Sequence, residues 1–195
     1  MRSTLRTARL SLLAFTATVG LAGPASAQAA LTLVRPETIK IYNFATVNGD
    51  YYRGGQPLGE DYAYLAALGV KTVVNLTNDA DGRDDEEKMV AQYGMKYVHI
   101  PMSARTVPTD AEIAAFMSAV DADGEVYVHC VGGRHRTGVM TAVYRMTKDG
   151  LNGDQAFKEM KQYKYGPDFL HPEFKKFVYA YKPKTGAAVS AGGQR

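Results

Sequence analysis

The segment richest in chemistry is Val128-His129-Cys130-Val131-Gly132-Gly133-Arg134-His135-Arg136-Thr137-Gly138. It joins an apolar run expected to be a strand to a stretch expected to be a helix, and ligands of open α/β sheets collect at such strand C-termini. Gly132 and Gly133 let the loop curl, so that backbone N–H groups from Val131 through His135 to Arg136 converge on one anion at the N-terminus of the following helix. The product is a phosphate-sized cradle with Cys130 on its floor. Arg136, six residues on, returns over the rim to hold two phosphate oxygens with its planar fork.

An ordinary thiol of pKa ~8.5 is only about 3% thiolate at pH 7, whereas nucleophilic cysteines titrate at about 3.5 to 7.5. Lowering the pKa by three units takes roughly 4 kcal/mol. A helix terminus supplies about 0.3 to 1 kcal/mol of this, rising to ~2 when partly buried. The converging N–H groups, the Thr137 hydroxyl and Arg136 must therefore supply most of the shift. Cys130 is also the sole cysteine, so there is no internal disulfide framework, and a lone thiol is retained where it does something.

The rest of the chain reads as scaffolding for this loop. A loosely alternating strand is expected over 39–47, and Tyr51-Tyr-Arg-Gly-Gly-Gln-Pro57 reads as a turn. Helix and strand then alternate: a helix over 61–68 stopped by Gly69, a strand over 71–77, a helix starting at 84–87 and ending by Gly94, and a strand over 97–100. Thr109 with Glu112 matches a capping box and opens a helix to about Asp121, and 125–130 is one more strand. Three helices follow, over 137–148, 154–163 and 172–181. The last carries Phe174, Phe177, Val178 and Tyr181 on one stripe. This alternation predicts an α/β fold of three layers, a mostly parallel central sheet flanked by helices.

The first nine residues carry Arg2, Arg6 and Arg9 and no acid, an apolar run over 10–22 follows, and Ala25-Ser26-Ala27 is a small-residue site. This is the pattern of a cleavable signal peptide over 1–27, too short in its apolar part for the roughly 18 to 20 residues that span a bilayer. The expected product is a single domain over 28–182 with a disordered Gly/Ala/Ser-rich tail over 183–195, periplasmic or secreted and with no stable membrane insertion. Removing three of the 23 cations leaves 20 against 20 acids, which gives no support to nucleic-acid or membrane-surface binding.

His-Cys, five residues, then Arg-Thr, as in His129-Cys130 to Arg136-Thr137, resembles the signature of the protein tyrosine phosphatase superfamily in its small dual-specificity branch. Gly133-Arg-His-Arg-Thr-Gly138 is similar to the Gly-Lys-His-Arg-Thr-Gly of atypical plant and fungal members, and Tyr52-Arg-Gly-Gly-Gln-Pro57 to their upstream Tyr-Arg-Ser-Gly-Gln-Pro-like element. The resemblance implies an exported metal- and cofactor-independent phosphatase. Cys130 attacks phosphorus to give a phosphocysteine, Arg136 binds the equatorial oxygens, and Thr137 helps the thiolate leave. Substrates of phosphotyrosine type follow, with inositol phosphates and pyrophosphates as the alternative.

The family's general acid, an Asp some thirty residues before the cysteine, has no counterpart in Ile100-Pro-Met-Ser-Ala-Arg-Thr-Val-Pro108. Asp110 is the nearest candidate, although an acid in a helix's first turn also simply complements the dipole. Asp79, Asp81 and Asp168 are weaker alternatives. Arg134 and His135 add positive or protonatable groups suited to polyanions, and Arg53 is either a fold-closing residue or a substrate contact. His129 and Cys130, adjacent on a strand, point to opposite faces, so a zinc site is not expected; the resemblance implies that His129 hydrogen-bonds inside the core and orders the loop. Two other classes stay open: a phospho-binding pseudophosphatase, and a rhodanese-type sulfurtransferase.

Overall fold

The computed structural model describes residues 35–78 and 85–184. The expected signal peptide, Asp79, Asp81 and the tail from 185 lie outside the described residues. Five strands form one sheet: β1 (Ala45–Asn48), β2 (Tyr51–Gly54), β3 (Val70–Asn75), β4 (Lys96–His99) and β5 (Glu125–His129), in the order β1-β2-β5-β3-β4. Only β1 and β2 are antiparallel; the β2/β5, β5/β3 and β3/β4 pairs are parallel. β5 is therefore the middle strand, and Cys130 follows its C-terminal end.

Among the described residues six α-helices cover the sheet: α1 (Asp61–Ala67), α2 (Glu86–Gln92), α3 (Asp110–Val120), α4 (Arg136–Lys148), α5 (Gly153–Gln162) and α6 (Pro172–Ala180). Strand residues alternate between two cores because successive side chains leave opposite faces. Tyr51, Val74, Val126 and Val128 pack with α3 to α6 through Phe116, Met140, Phe157 and Phe174. Tyr52, Val73 and Tyr127 pack with α1 and α2 through Tyr62, Leu65 and Val90. This is the three-layer α/β fold with a mostly parallel sheet.

Two local expectations are corrected. The segment opening at Tyr51 is not a turn but β2, with all four residues buried. Its aromatic pair fits a strand covered on both faces, and the glycines that read as turn signals lie at and beyond its end. The strand expected over 39–47 shrinks to Ala45–Asn48, because Ile41 to Asn43 turns and Asn43 takes a positive φ of 57°, a conformation in which Asn is enriched.

The capping box forms as read: Thr109 Oγ1 accepts from Glu112 N at 3.2 Å, and Glu112 Oε2 accepts from Thr109 N. Replacing an N-cap Thr by Ala costs about 1 kcal/mol, which at this chain length lowers Tm by about 2–4 °C. Thr109→Ala is expected to show that drop in a thermal melt, and an unchanged Tm would mean the box contributes nothing.

Candidate active site

The loop from Cys130 to His135 is fixed from below by its neighbours in the sheet. Gln56 N donates to Val131 O at 3.1 Å and Leu76 N to His129 O at 2.9 Å. Gly133 has φ +60°, and a Cβ there would fall into the Gly54 carbonyl and the Gly55 nitrogen. Glycine is required on both counts, since left-handed backbone and close approach each exclude a side chain.

Above this floor a cleft of about 350 Å³ is lined by Ala104, Cys130, Val131, Gly132, Arg134, His135 and Arg136. The structure thus brings Cys130 and Arg136 together with the loop residues. Cys130 and Arg136 are almost fully buried, and Arg136 Nη1 donates to Met102 O at 3.3 Å, tying the guanidinium to the loop that precedes α3. Burial pushes the Cys130 thiol up. The Thr137 hydroxyl and N–H, the Arg136 charge and the Arg134 N–H outweigh it, and the thiol lies below its ordinary value. Thr137, in the first turn of α4, is fully buried.

His135 is turned partly away from the cleft. Its Nε2 lies 2.9 Å from Tyr165 O, which assigns the proton to that nitrogen, and its ring lies 3.8 Å from that of His171. Burial, with repulsion from His171, Arg134 and Arg136, lowers its pKa despite the Tyr165 carbonyl. Arg134 donates to Tyr42 Oη at 2.5 Å beside the cleft, and the Lys164 ammonium sits 4.2 Å from the same ring's centre.

The acidic candidates are elsewhere. Asp110 Oδ2 pairs with Lys184 Nζ at 2.9 Å at an exposed position. Asp168 is held between Lys161 and Lys175, each at 2.7 Å. Among the described residues no carboxylate lines the Cys130 cleft, and no group of three or more His, Cys, Asp or Glu side chains is placed to hold a metal ion. No described helix is long and apolar enough to cross a membrane.

The family model described as a DSP-PTPase phosphatase fused to NAD+ kinase matches residues 36–175. The chain belongs to this dual-specificity family of protein tyrosine phosphatases. The dual specificity protein phosphatase TpbA of Pseudomonas aeruginosa UCBPP-PA14 is 30% identical over 129 residues, covering 65% of this chain and 56% of that protein. Inositol diphosphatase DSP5 of Arabidopsis thaliana is 26% identical over 113 residues, 55% of each chain. This chain therefore spans little more than half the length of these curated relatives. The crystal structure of P. aeruginosa TpbA superposes with a TM-score of 0.62 at 27% identity, over 72% of this chain and 86% of that one. The catalytic core of the PP-IP phosphatase SIW14 of S. cerevisiae shares the fold, with a TM-score of 0.63 at 20% identity, over 73% and 86%.

One part of the site in this dual-specificity family member escaped the sequence reading. Glu86, read only as part of a helix start over 84–87, is fully buried behind the loop. It accepts hydrogen bonds from Tyr62 Oη at 3.1 Å and Asn75 Nδ2 at 2.6 Å, and its Oε1 lies 3.0 Å from His129 Nε2. Burial pushes Glu86 up, but its bonds from His129, Gln56 and Tyr62 win and hold it below the ordinary 4.5. Glu86 is the third of four acids in a row over 84–87, and nothing in that run sets it apart from its neighbours.

A carboxyl with a depressed folded pKa stabilises fully above its unfolded pKa, and that stability is lost as pH falls through the folded value. Removing one partner of a buried pair costs about 3–5 kcal/mol. Glu86→Ala is expected to lose that amount in urea unfolding at pH 7, with the gap to wild type narrowing only below about pH 4.5. A constant gap down to pH 3 would mean Glu86 is not ionised in the fold.

Proposed function

We propose that this chain is a Cys-dependent phosphatase acting on phosphotyrosine-type phosphomonoesters through a phosphocysteine intermediate. The observation that carries it is a buried thiol, drawn below its ordinary pKa, sharing one cleft with the Arg136 guanidinium and a curled loop of N–H groups. In the first step Cys130 Sγ attacks phosphorus as thiolate, the P–O bond breaks, and its electron pair leaves with the alcohol oxygen. In the second, water attacks phosphorus, the P–S bond breaks, and the thiolate departs toward the Thr137 hydroxyl. Arg136 and the loop N–H groups hold the phosphoryl oxygens throughout.

The leaving oxygen finds no carboxylic acid in the cleft among the described residues. General acid catalysis is worth roughly 10² to 10⁴ in rate, and a leaving group that tolerates negative charge needs it least. A phenolate, from an acid of pKa ~10, or a phosphate leaving from an anhydride meets that condition better than a serine alkoxide. The second reading, an inositol pyrophosphatase, is favoured by Arg134 and Lys164 gathered on Tyr42 beside the cleft. Export to the periplasm or beyond, after cleavage between Ala27 and Gln28, belongs to the same proposal.

Residues 28–195, purified reduced, are expected to hydrolyse an aryl phosphate, and Cys130→Ser to abolish turnover. The acid limb of kcat/KM should fall below the ordinary thiol value of ~8.5. Phosphotyrosine peptides should be turned over at least about tenfold faster than phosphoserine peptides; equal rates would sink the leaving-group reading. Vanadate binding without turnover would point to a pseudophosphatase, thiosulfate turnover to a sulfurtransferase, and faster release of phosphate from inositol pyrophosphates to the second reading. Mass spectrometry of the exported chain should find Gln28 at its N-terminus.

A further inference from the structure

A loop that stabilises anions works only if its peptide groups face the right way, and one of them is gripped from behind. In a trans peptide the C=O and the next residue's N–H point in opposite directions, and the described peptide bonds include no cis bond. The Gly133 carbonyl accepts from Asn43 Nδ2 at 2.8 Å and from Arg53 Nη2 at 2.6 Å. The N–H of the same peptide unit belongs to Arg134 and is one of the groups that draw the Cys130 thiol below its ordinary value.

We propose that Arg53 and Asn43 are positioning residues for the reaction: by gripping the Gly133 carbonyl they aim the Arg134 N–H at the Cys130 thiolate. Neither is among the residues lining the cleft, so both act through the loop. Asn43 Nδ2 also donates to Tyr163 O at 2.9 Å, and the Tyr163 ring lies 4.2 Å from the Arg53 guanidinium carbon. Asn43, Gly133, Arg53 and Tyr163 thus close a ring beneath the loop.

The charge of Arg53 supports this placement. It is fully buried, and its Nε and Nη1 have no hydrogen-bond partner among the described residues. Glu159, the acid that acts on it from a distance, is 3.0 Å from Arg145 Nε. Burying an unpaired cation is costly where an apolar side chain would fit, so the charge has a use where a negative charge forms. Burial lowers the Arg53 pKa, and Cys130 is among the groups that oppose this, after Tyr51 and Tyr163. The other charged or titratable groups around the thiol are Arg134, His135 and Arg136 of the loop and α4, Tyr127 and His129 of β5, and Glu86 of α2 behind His129.

The test rests on Cys130 as nucleophile but not on its substrate, so it reads thiol ionisation as well as turnover. Iodoacetamide alkylation of Cys130 is followed against pH in the wild type and in Arg53→Met, Arg53→Lys and Asn43→Ala, alongside Tm and aryl phosphate kinetics. Arg53→Met is expected to move the alkylation midpoint up by about one pH unit, tenfold in thiolate at low pH. Its kcat should fall about tenfold or more with KM changing less, as for a misaimed transition-state donor. Asn43→Ala should shift the midpoint the same way by less, and Arg53→Lys, which keeps the charge, should stay nearer the wild type than Arg53→Met.

A folded Arg53→Met with the wild-type midpoint, whatever its Tm, overturns the proposal. If that variant does not fold, a wild-type midpoint in Asn43→Ala overturns it. Midpoints that shift as expected in chains that hydrolyse no phosphate ester support the clamp and sink only the phosphatase reading.

Discussion

The rest of the structure is arranged around one requirement, that a negative charge be comfortable at the buried end of β5. Burial raises the cost of a thiolate, and here it is the largest influence on Cys130, yet the thiol still falls below its ordinary value. That inversion needs several donors at once, because two unit charges 4 Å apart interact by only about 4 kcal/mol at the effective dielectric near a protein surface. The glycine loop supplies N–H groups, α4 supplies Thr137 and Arg136, and β2 brings Arg53 up from beneath. A central strand is the place where all of these converge, since β5 has β2 on one side and β3 on the other.

Satisfying the anion leaves the outward-facing carbonyls and the flanking strand to be secured. Val131 O is taken by Gln56 N, and His129 O by Leu76 N. Both partners lie just beyond the ends of β2 and β3. The His129 side chain, on the opposite face from Val128, reaches Glu86 on α2, and Glu86 collects Asn75 from β3 and Tyr62 from α1. The α1/α2 layer, which carries no residue of the cleft, therefore fixes the strand that carries the nucleophile. A polar network in a low dielectric rigidifies what it touches.

The sequence made the chemistry legible and the supports largely illegible, for a physical reason. Cys130, Arg136 and Thr137 lie within eight residues and obey a local rule, strand then loop then helix N-terminus. The periodic helices over 110–120 and 136–148 and the capping box at Thr109 are equally local. Glu86, Asn43 and Arg53 act across 43, 90 and 80 residues of chain, distances at which a single sequence carries no pattern. Glu86 read as one residue of an acidic helix start, and Tyr51 to Gly54 as a turn, because glycine signals outweighed an aromatic pair. Asp110 looked like a reachable acid because it is close in sequence to the expected loop. In the fold its carboxylate turns to Lys184.

A cleft with no carboxylic acid among its described lining residues must handle the leaving group's charge by electrostatics. The loop after β4 offers Ala104 to the cleft, and it meets Arg136 through the Met102 carbonyl, not through an acidic side chain. His135 does not fill the gap, because burial and three neighbouring cationic or titratable side chains disfavour its protonated form, and its Nε2 proton is engaged by the Tyr165 carbonyl. What remains at the mouth is positive: Arg134 and Lys164 share the Tyr42 ring, and the Arg134 hydrogen bond draws the Tyr42 phenol below its ordinary pKa against burial. Cations act at a distance and saturate with spread charge, whereas a proton neutralises a charge localised on one oxygen. In the reaction proposed above, the surroundings of Cys130 would therefore suit leaving groups whose charge is already delocalised over a ring or over phosphate oxygens, and the same positive field would serve the thiolate, the bound phosphoryl group and the departing anion in turn.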